Sequence, residues 1–585
     1  MKRLFDIPFH QLEKFPNDKM FTTKKDGKWA SISTSFFIDL VNSISKGLIA
    51  KGIQPGDKIG IISSNRYEWN ALDIASLQIG AIVVPIYPNI STDDYTYIFN
   101  DAGIKICVVG DKILFEKISI IRFKLESLSD LYCFDKETGI PNWDELRTIG
   151  KDIKIQEVEE RKNNINNLDL ATIIYTSGTT GNPKGVMLSH NNIISNVLAC
   201  VDRMPCDEHS RVLTFLPVCH VYERMLHYLY MYMGCAIYFA ESMDTIGDNI
   251  REVKPHMFTA VPRLIEKVYD KIIHKGEELT GFKKSLFFWA VKIGEQYEVT
   301  GRSLFYNIKL AIARKLIFSK WQEALGGETR AIVSGSAALQ PKLARIFLAA
   351  DITVLEGYGL TETSPVIAVN CIKNGIRIGT VGTLIHDVQV KLASDGEILV
   401  KGPNVMMGYY NLPDKTAEEI DSDGWFQTGD IGTFVEEKFL KITDRKKEIF
   451  KTSGGKYIIP QAMENKFKES RFIEQIMVVG EGQKFPGALI IPNFVYLREW
   501  CVLKGIEESS RSNLELINLE SVIKRFEKEI EHYNEFYGGF EKIKRFQLLP
   551  SEFSIENNEL TPTLKLKRKV ILEKHKQEIA KIYNI

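Results

Sequence analysis

The chain has 585 residues, longer than one hydrophobic core usually serves, so more than one folding unit is expected. Hydrophobic residues make up 44% and charged residues 26%, which excludes a disordered or fibrous chain. Lys+Arg and Asp+Glu stand at 75 each, so no global field draws the protein to nucleic acid or to an anionic membrane, while a local basic patch stays open.

The N-terminus starts Met1-Lys2-Arg3, but Asp6 and His10 interrupt any apolar run, so no signal peptide is expected. No stretch approaches the ~20 apolar residues that span a bilayer, which makes the cytoplasm the default setting, with contact at a membrane surface left open. Phe37, Leu40, Val41, Ile44 and Leu48 recur at helical spacing behind the capping residues Ser33 and Thr34. Strands at 58–63, 81–87 and 104–109 then alternate with helices at 67–78 and 92–100. Alternation of this kind implies crossover units and a largely parallel, helix-covered sheet. Residues 275–325 read as mostly helical, with Phe287-Phe288-Trp289 and Leu304-Phe305-Tyr306 expected in the core. Arg330 to Val333 reads as a strand, and Pro341 opens a helix through Ala350. Near Asp444 Lys and Arg become dense and a smaller α+β pattern begins, so a boundary is expected there, with domains at 1–443 and 444–585. The eight cysteines are scattered without a Cys-x-x-Cys pair, which argues against a zinc ribbon or a redox pair.

The strongest chemical signal is the run from Tyr175 to Gly185 (YTSGTTGNPKG). An apolar strand, Ala171 to Tyr175, enters it. Gly178, Gly181 and Gly185 let the backbone approach a ligand and aim amides at one point. The hydroxyls of Thr176, Ser177, Thr179 and Thr180 and the charge of Lys184 complete a phosphate cradle. It is not the Walker loop, because Pro183 precedes the lysine and neither Ser nor Thr follows it.

This run resembles the signature of the adenylate-forming, or AMP-binding, enzyme superfamily, and further motifs follow in that family's order. Glu356-Gly357-Tyr358-Gly359-Leu360-Thr361-Glu362 matches its second motif. The resemblance implies that the Tyr358 ring stacks on adenine, that Thr361 meets the α-phosphate, and that Glu362, with Thr176, serves Mg²⁺. Gly335-Ser336-Ala337 resembles the segment beside the adenine and the acyl pocket. Trp425 to Asp430 (WFQTGD) matches the ribose motif, with Asp430 and then Arg445 on the ribose and Lys447 and Lys451 near phosphate. The last motif aligns Lys565 with the family's adenylation lysine, and Lys567 is its rival.

Leu216-Pro217-Val218-Cys219-His220-Val221-Tyr222-Glu223-Arg224 resembles a segment of long-chain fatty acyl-CoA synthetases, with His220 near the substrate carboxylate. The implied fold is α/β, a large multi-layer N-terminal domain with a mobile α+β lid. The implied reaction joins a fatty acid to coenzyme A through an acyl-adenylate, using ATP and Mg²⁺. Acyl carrier protein as acceptor, a shorter or aromatic acid, a catalytically dead binding protein, and a homodimer all stay open.

Overall fold

Phe37, Leu40, Val41, Ile44 and Leu48 line the buried face of a helix, Thr34–Ala50, in the computed structural model, and Ser33 caps it by accepting from the Phe36 amide at 3.2 Å. The structure describes residues 1–176, 182–446, 448–561 and 565–584. Its chain divides into two units. The first comprises Met1–Lys391, Leu399–Thr428 and Phe434–Lys441, and the second comprises Leu392–Ile398, Gly429–Thr433 and Ile442–Ile585.

Two sheets frame the first unit. In a seven-stranded sheet, Leu170–Thr176, Ile82–Ile86, Lys58–Ile62, Ile104–Val109 and Asp130–Cys133 run parallel. Lys184–Ser189 and Gly408–Tyr409 add antiparallel strands beyond Leu170–Thr176. A nine-stranded sheet has a parallel centre that includes Arg211–Thr214, Met257–Ala260, Ala331–Ser334 and Val354–Gly359, with antiparallel strands at both edges. Ile59, Ile61, Val83, Val84 and Ile106 are fully buried, as strands covered on both faces require.

The helix Val221–Tyr232 links the two sheets, and its two adjacent charged residues do so with buried polar bonds. Glu223 accepts from the hydroxyls of Thr214 and Thr259, both in the nine-stranded sheet, the latter at 2.7 Å. Arg224 donates to Thr172 of the seven-stranded sheet at 2.8 Å and pairs with Asp73 of the helix Tyr67–Leu77 at 2.5 Å. Neither side chain reaches solvent, so each needs these partners.

Helices Pro262–Glu277, Gly281–Glu295 and Leu304–Ala313 fill most of the region expected to be helical, followed by a π turn, Arg314–Phe318, and the helix Ser319–Ala324. The first aromatic cluster meets the core expectation, with Phe288 and Trp289 packed against the core beside Phe287, whereas the second divides, with Tyr306 packed inward and its two neighbours outward. Phe287 is buried, but Leu304 and Phe305 stand in solvent. In the second unit, a three-stranded sheet of Ile473–Val479, Gly487–Pro492 and Arg545–Leu548 packs with helices Phe494–Leu503 and Glu520–Asn534 around Ile476, Ile490, Leu497 and Phe526. Among the described residues, no helix is long and apolar enough to cross a membrane.

Candidate active site

The candidate phosphate loop joins two paired strands. Thr176 and Lys184 form the last pair of that hairpin, and the Thr176 hydroxyl lies 3.5 Å from the Lys184 carbonyl. Ser177, Gly178, Thr179, Thr180 and Gly181 lie outside the described residues, as does Lys447. The next strand in the sheet brings Tyr409 beside Val186. The Lys184 Nζ sits 4.8 Å from the centroid of the Tyr409 ring, a cation–π distance. The hydroxyl of that same ring donates to Glu362 Oε1 at 3.0 Å. Burial, and after it the Glu362 carboxylate, push the Tyr409 hydroxyl far above its usual pKa, so it stays a donor. Tyr409 thus joins the two motifs, and no motif in the sequence marks it.

Glu362 lies in a one-turn 3₁₀ helix, Thr361–Thr363, directly after the strand Val354–Gly359. Side chains from distant segments hold this turn. Asn404 donates to the Thr363 carbonyl at 3.0 Å, and Asn196 exchanges bonds of 2.8 and 3.1 Å with the backbone of Val366. The Met406 amide donates to the Glu362 carbonyl at 2.9 Å. Gly359 is required here, because a Cβ would lie 1.8 Å from the Pro365 carbonyl oxygen. Among the described residues Glu362 Oε2 has no protein partner, and no group of three or more His, Cys, Asp or Glu forms a cage for a metal. Glu362 thus offers one hard carboxylate oxygen on the same Tyr409 ring as Lys184, the strand partner of Thr176, and such an oxygen fits Mg²⁺, which takes few protein ligands and arrives with phosphates.

Glu356, Gly357 and Tyr358 lie on the strand Val354–Gly359 that leads into this 3₁₀ turn. Glu356 is buried, and burial pushes its carboxyl up to about 8, against the pull of the Leu339 amide. Tyr358 pairs with Ala368 on the neighbouring strand and is half-buried. Ser336 sits just beyond Ala331–Ser334 with φ of 71°, in the left-handed region. Its neighbour Gly335 faces the Tyr222 ring, which a Cβ would approach to 3.1 Å. Tyr222 also donates to the Val333 carbonyl at 3.3 Å. The His220-to-Arg224 segment and the Gly335-Ser336 segment are therefore packed together. His220 caps the helix Val221–Tyr232, its Nδ1 accepting from the Tyr222 amide at 3.1 Å.

The second unit holds the remaining candidates. Asp430 is buried on the strand Phe426–Val435, and Arg445 ends Phe439–Arg445 with its Nε 3.2 Å from Asp430 Oδ1. Lys446 fastens the same corner through Glu397 at 2.6 Å and Asp395 at 2.7 Å. Lys451 is exposed on a two-stranded hairpin, 4.6 Å from the Tyr457 ring. The Lys565 amide donates to the Thr561 hydroxyl at 3.0 Å, and the Lys565 carbonyl accepts from the Thr561 amide at 2.8 Å. The Nζ of Lys567 is engaged by Asn558 Oδ1 at 2.5 Å.

Residues 9–410 match the AMP-binding enzyme family, and residues 447–585 match the AMP-binding enzyme C-terminal domain. The chain belongs to the AMP-binding enzyme family. Several curated AMP-binding relatives align along almost its whole length. Long-chain-fatty-acid–CoA ligase FadD15 of Mycobacterium tuberculosis is 32% identical over 96% of this chain and 93% of its own. Fatty acyl-CoA synthetase B of Dictyostelium discoideum is 32% identical over 99% and 90%, and human long-chain-fatty-acid–CoA ligase 1 is 32% identical over 96% and 83%. The fold is also that of solved AMP-binding enzymes. The anthranilate CoA ligase AuaEII with anthranoyl-AMP superposes with a TM-score of 0.73 at 17% identity, covering 99% of this chain and 98% of that one. The adenylation domain of a Mycobacterium chelonae carboxylate reductase superposes at 0.75 with 18% identity, covering 100% and 91%.

Proposed function

We propose that this protein is a long-chain fatty acid–CoA ligase that forms acyl-CoA, AMP and pyrophosphate from a fatty acid, ATP and coenzyme A. The observation that carries this reading is the end-to-end alignment at 32% identity with curated long-chain ligases. The Lys184–Tyr409–Glu362 cluster supports it, because a cation and a metal-type carboxylate oxygen sit on one aromatic platform beside the loop expected to hold phosphates.

In the first half-reaction a carboxylate oxygen of the fatty acid attacks the α-phosphorus of ATP, and the bond to pyrophosphate breaks. Lys184 meets the phosphate charge, and Thr361 positions the α-phosphate. Glu362 and Thr176 would hold Mg²⁺, which supplies charge neutralisation on the phosphate oxygens when bound. Asp430 and Arg445 orient the ribose, Tyr358 stacks on the adenine, and Ser336 with Glu356 and Gly357 shapes the space beside it. Lys451 and Lys447 would add positive charge for phosphate. Lys565 brings two anions together, offsetting their repulsion in the transition state. In the second half-reaction the coenzyme A sulfur attacks the acyl carbon, the thiol proton leaves, and AMP departs. The second unit serves as a lid, pivoting near Asp444, that delivers Lys565 for adenylation and withdraws it for thioester formation. His220 stands at the carboxylate end of the acyl pocket.

Pyrophosphate release across acids of graded chain length, with coenzyme A or carrier protein as acceptor, tests the reading. Thioester formation with palmitate-length acids, dependent on coenzyme A, is expected. Far better use of acetate or benzoate would overturn the substrate class, and transfer only to carrier protein would overturn the acceptor.

A further inference from the structure

The helix Leu304–Ala313 breaks the usual rule that apolar side chains turn inward. Its inner face is buried through Leu310 and Ala313. Its outer face is apolar too. Leu304 is 78% exposed, Phe305 66%, Ile308 52% and Ile312 45%. At about 100° per residue these four side chains span an arc of roughly 100° on the side away from Leu310 and Ala313. Leu316, one turn further on in the π segment, continues the stripe. A single exposed leucine is ordinary, but a contiguous exposed stripe is not.

The charge around the stripe is one-sided. No Asp or Glu occurs between Leu304 and Lys320, whereas Lys309, Arg314, Lys315 and Lys320 all do. Residues 281–320 hold eight Lys and Arg against two Glu, in a chain whose charges balance overall. Arg314 is occupied by the Ala349 carbonyl at 2.8 Å and Asp351 at 3.3 Å. Lys309, Lys315 and Lys320 form no ion pair among the described residues, and Lys309 Nζ lies 4.3 Å over the Phe305 ring. Aliphatic and aromatic side chains flanked by lysines without acids make the pattern of a helix that lies in the plane of a bilayer interface.

We propose that the outer face of Leu304–Leu316 docks on the surface of an anionic lipid bilayer, inserting Leu304, Phe305, Ile308 and Ile312 at the headgroup level while Lys309, Lys315 and Lys320 meet lipid phosphates. A second copy of the chain is the poorer occupant, because a two-fold contact on this stripe sets the same lysines against each other. The docking argument stands on these side chains alone; its use, presenting the ligase to an acid dissolved in a membrane, rests on the proposed function.

Sedimentation with vesicles, without turnover, tests it. The protein is expected to bind vesicles of phosphatidylcholine mixed with phosphatidylglycerol, to bind pure phosphatidylcholine vesicles weakly, and to release from the mixed ones as salt rises. Partitioning changes by on the order of fivefold per Lys or Arg near such a surface, so Lys309→Glu with Lys315→Glu should lower binding by tenfold or more. Leu304→Ser with Phe305→Ser should lower it comparably. Both pairs sit outside the core, and both should keep the wild-type melting temperature. Wild-type protein that ignores the mixed vesicles, or both variant pairs binding as wild type does, overturns the proposal. So does a dimer in light scattering that Leu304→Ser with Phe305→Ser dissolves while no vesicle binds. Vesicle binding in a protein that activates no acid sustains the docking face and rejects the ligase reading, which separates the two.

Discussion

The Tyr409 hydroxyl donates to Glu362 Oε1 at 3.0 Å, and the ring that carries it supports Lys184 Nζ at 4.8 Å. Two residues from separate motifs are thereby held by a third that belongs to neither. Tyr409→Phe keeps the ring and deletes the hydroxyl. A hydrogen bond to a charged group contributes about 1.5–3 kcal/mol, so pyrophosphate release should slow by roughly 10- to 100-fold. The Mg²⁺ concentration needed for half-maximal rate should also rise. Tyr409→Ala removes the platform under Lys184 as well and should be slower still. A Tyr409→Phe enzyme with wild-type rate and wild-type Mg²⁺ dependence would dismiss the bridging role.

Glu362→Ala removes the carboxylate proposed for Mg²⁺. Adenylation and overall thioester formation should both fall below detection, while the melting temperature stays close to wild type because Glu362 is only half-buried. Near-normal activity with Mg²⁺ would take Glu362 out of the metal site.

Much of the frame was legible because period and punctuation are local. The helices read at 67–78 and 92–100 appear as Tyr67–Leu77 and Thr92–Ala102, and the strand at 104–109 appears as Ile104–Val109. The motifs that hold Lys184 and Glu362 could be singled out because motifs are local too, and the structure sets both side chains on the Tyr409 ring, while their roles belong to the proposed function. Tyr409 could not be singled out, because it lies 47 residues from Glu362 and reaches it only through the pairing of Gly408–Tyr409 with Met187 and Val186. Asn196 and Asn404, which hold the Glu362 turn, are hidden for the same reason. Leu304 and Phe305 were misplaced because hydrophobicity alone cannot separate a core face from an exposed one when a helix carries both.

Glu223 and Arg224 were read for their resemblance to a substrate-specific segment, and the structure gives them buried partners in two different sheets. Arg224→Met should leave Asp73 buried without its cation. Breaking a buried pair on one side costs about 3–5 kcal/mol, measurable by urea unfolding of the first unit. Asp73→Leu in the same chain should restore part of that loss, because no unpaired charge then remains. Additive losses in the double variant would argue that the two side chains act independently.

Glu356 yields a pH signature. Its carboxyl titrates at about 8 in the folded protein and near 4.5 when unfolded, so the folded state binds the proton more tightly. Its contribution to stability is full below the unfolded value and is lost as pH rises through the folded one. Glu356→Gln has no proton to lose. The melting temperature of Glu356→Gln relative to wild type should therefore climb from about pH 5 to about pH 8 and level off above. Calorimetry at a series of pH values reads this directly, and a difference that shrinks as pH rises would mean the carboxylate is charged in the folded state.

Lys565 offers the sharpest test, because its proposed task belongs to one half-reaction only. During adenylation a carboxylate and a phosphate, both anionic, must approach, and a cation between them lowers the barrier. Thioester formation starts from an uncharged acyl carbon and, in the lid reading, proceeds after the lysine has been withdrawn. Lys565→Ala should slow adenylation by about 10²-fold or more, the loss typical of one transition-state charge partner. Given pre-formed acyl-adenylate and coenzyme A, the same variant should make thioester at close to the wild-type rate. Lys567 is the control. Its Nζ is engaged by Asn558, and its amide donates to the Glu559 carbonyl at 2.8 Å, so it is bound into the fold of the second unit. Lys567→Ala should disturb neither half-reaction strongly, with at most a small loss of stability. Equal slowing of both half-reactions by Lys565→Ala would count against the alternating lid. A large adenylation defect in Lys567→Ala, with Lys565→Ala nearly silent, would move the catalytic role two residues along the chain.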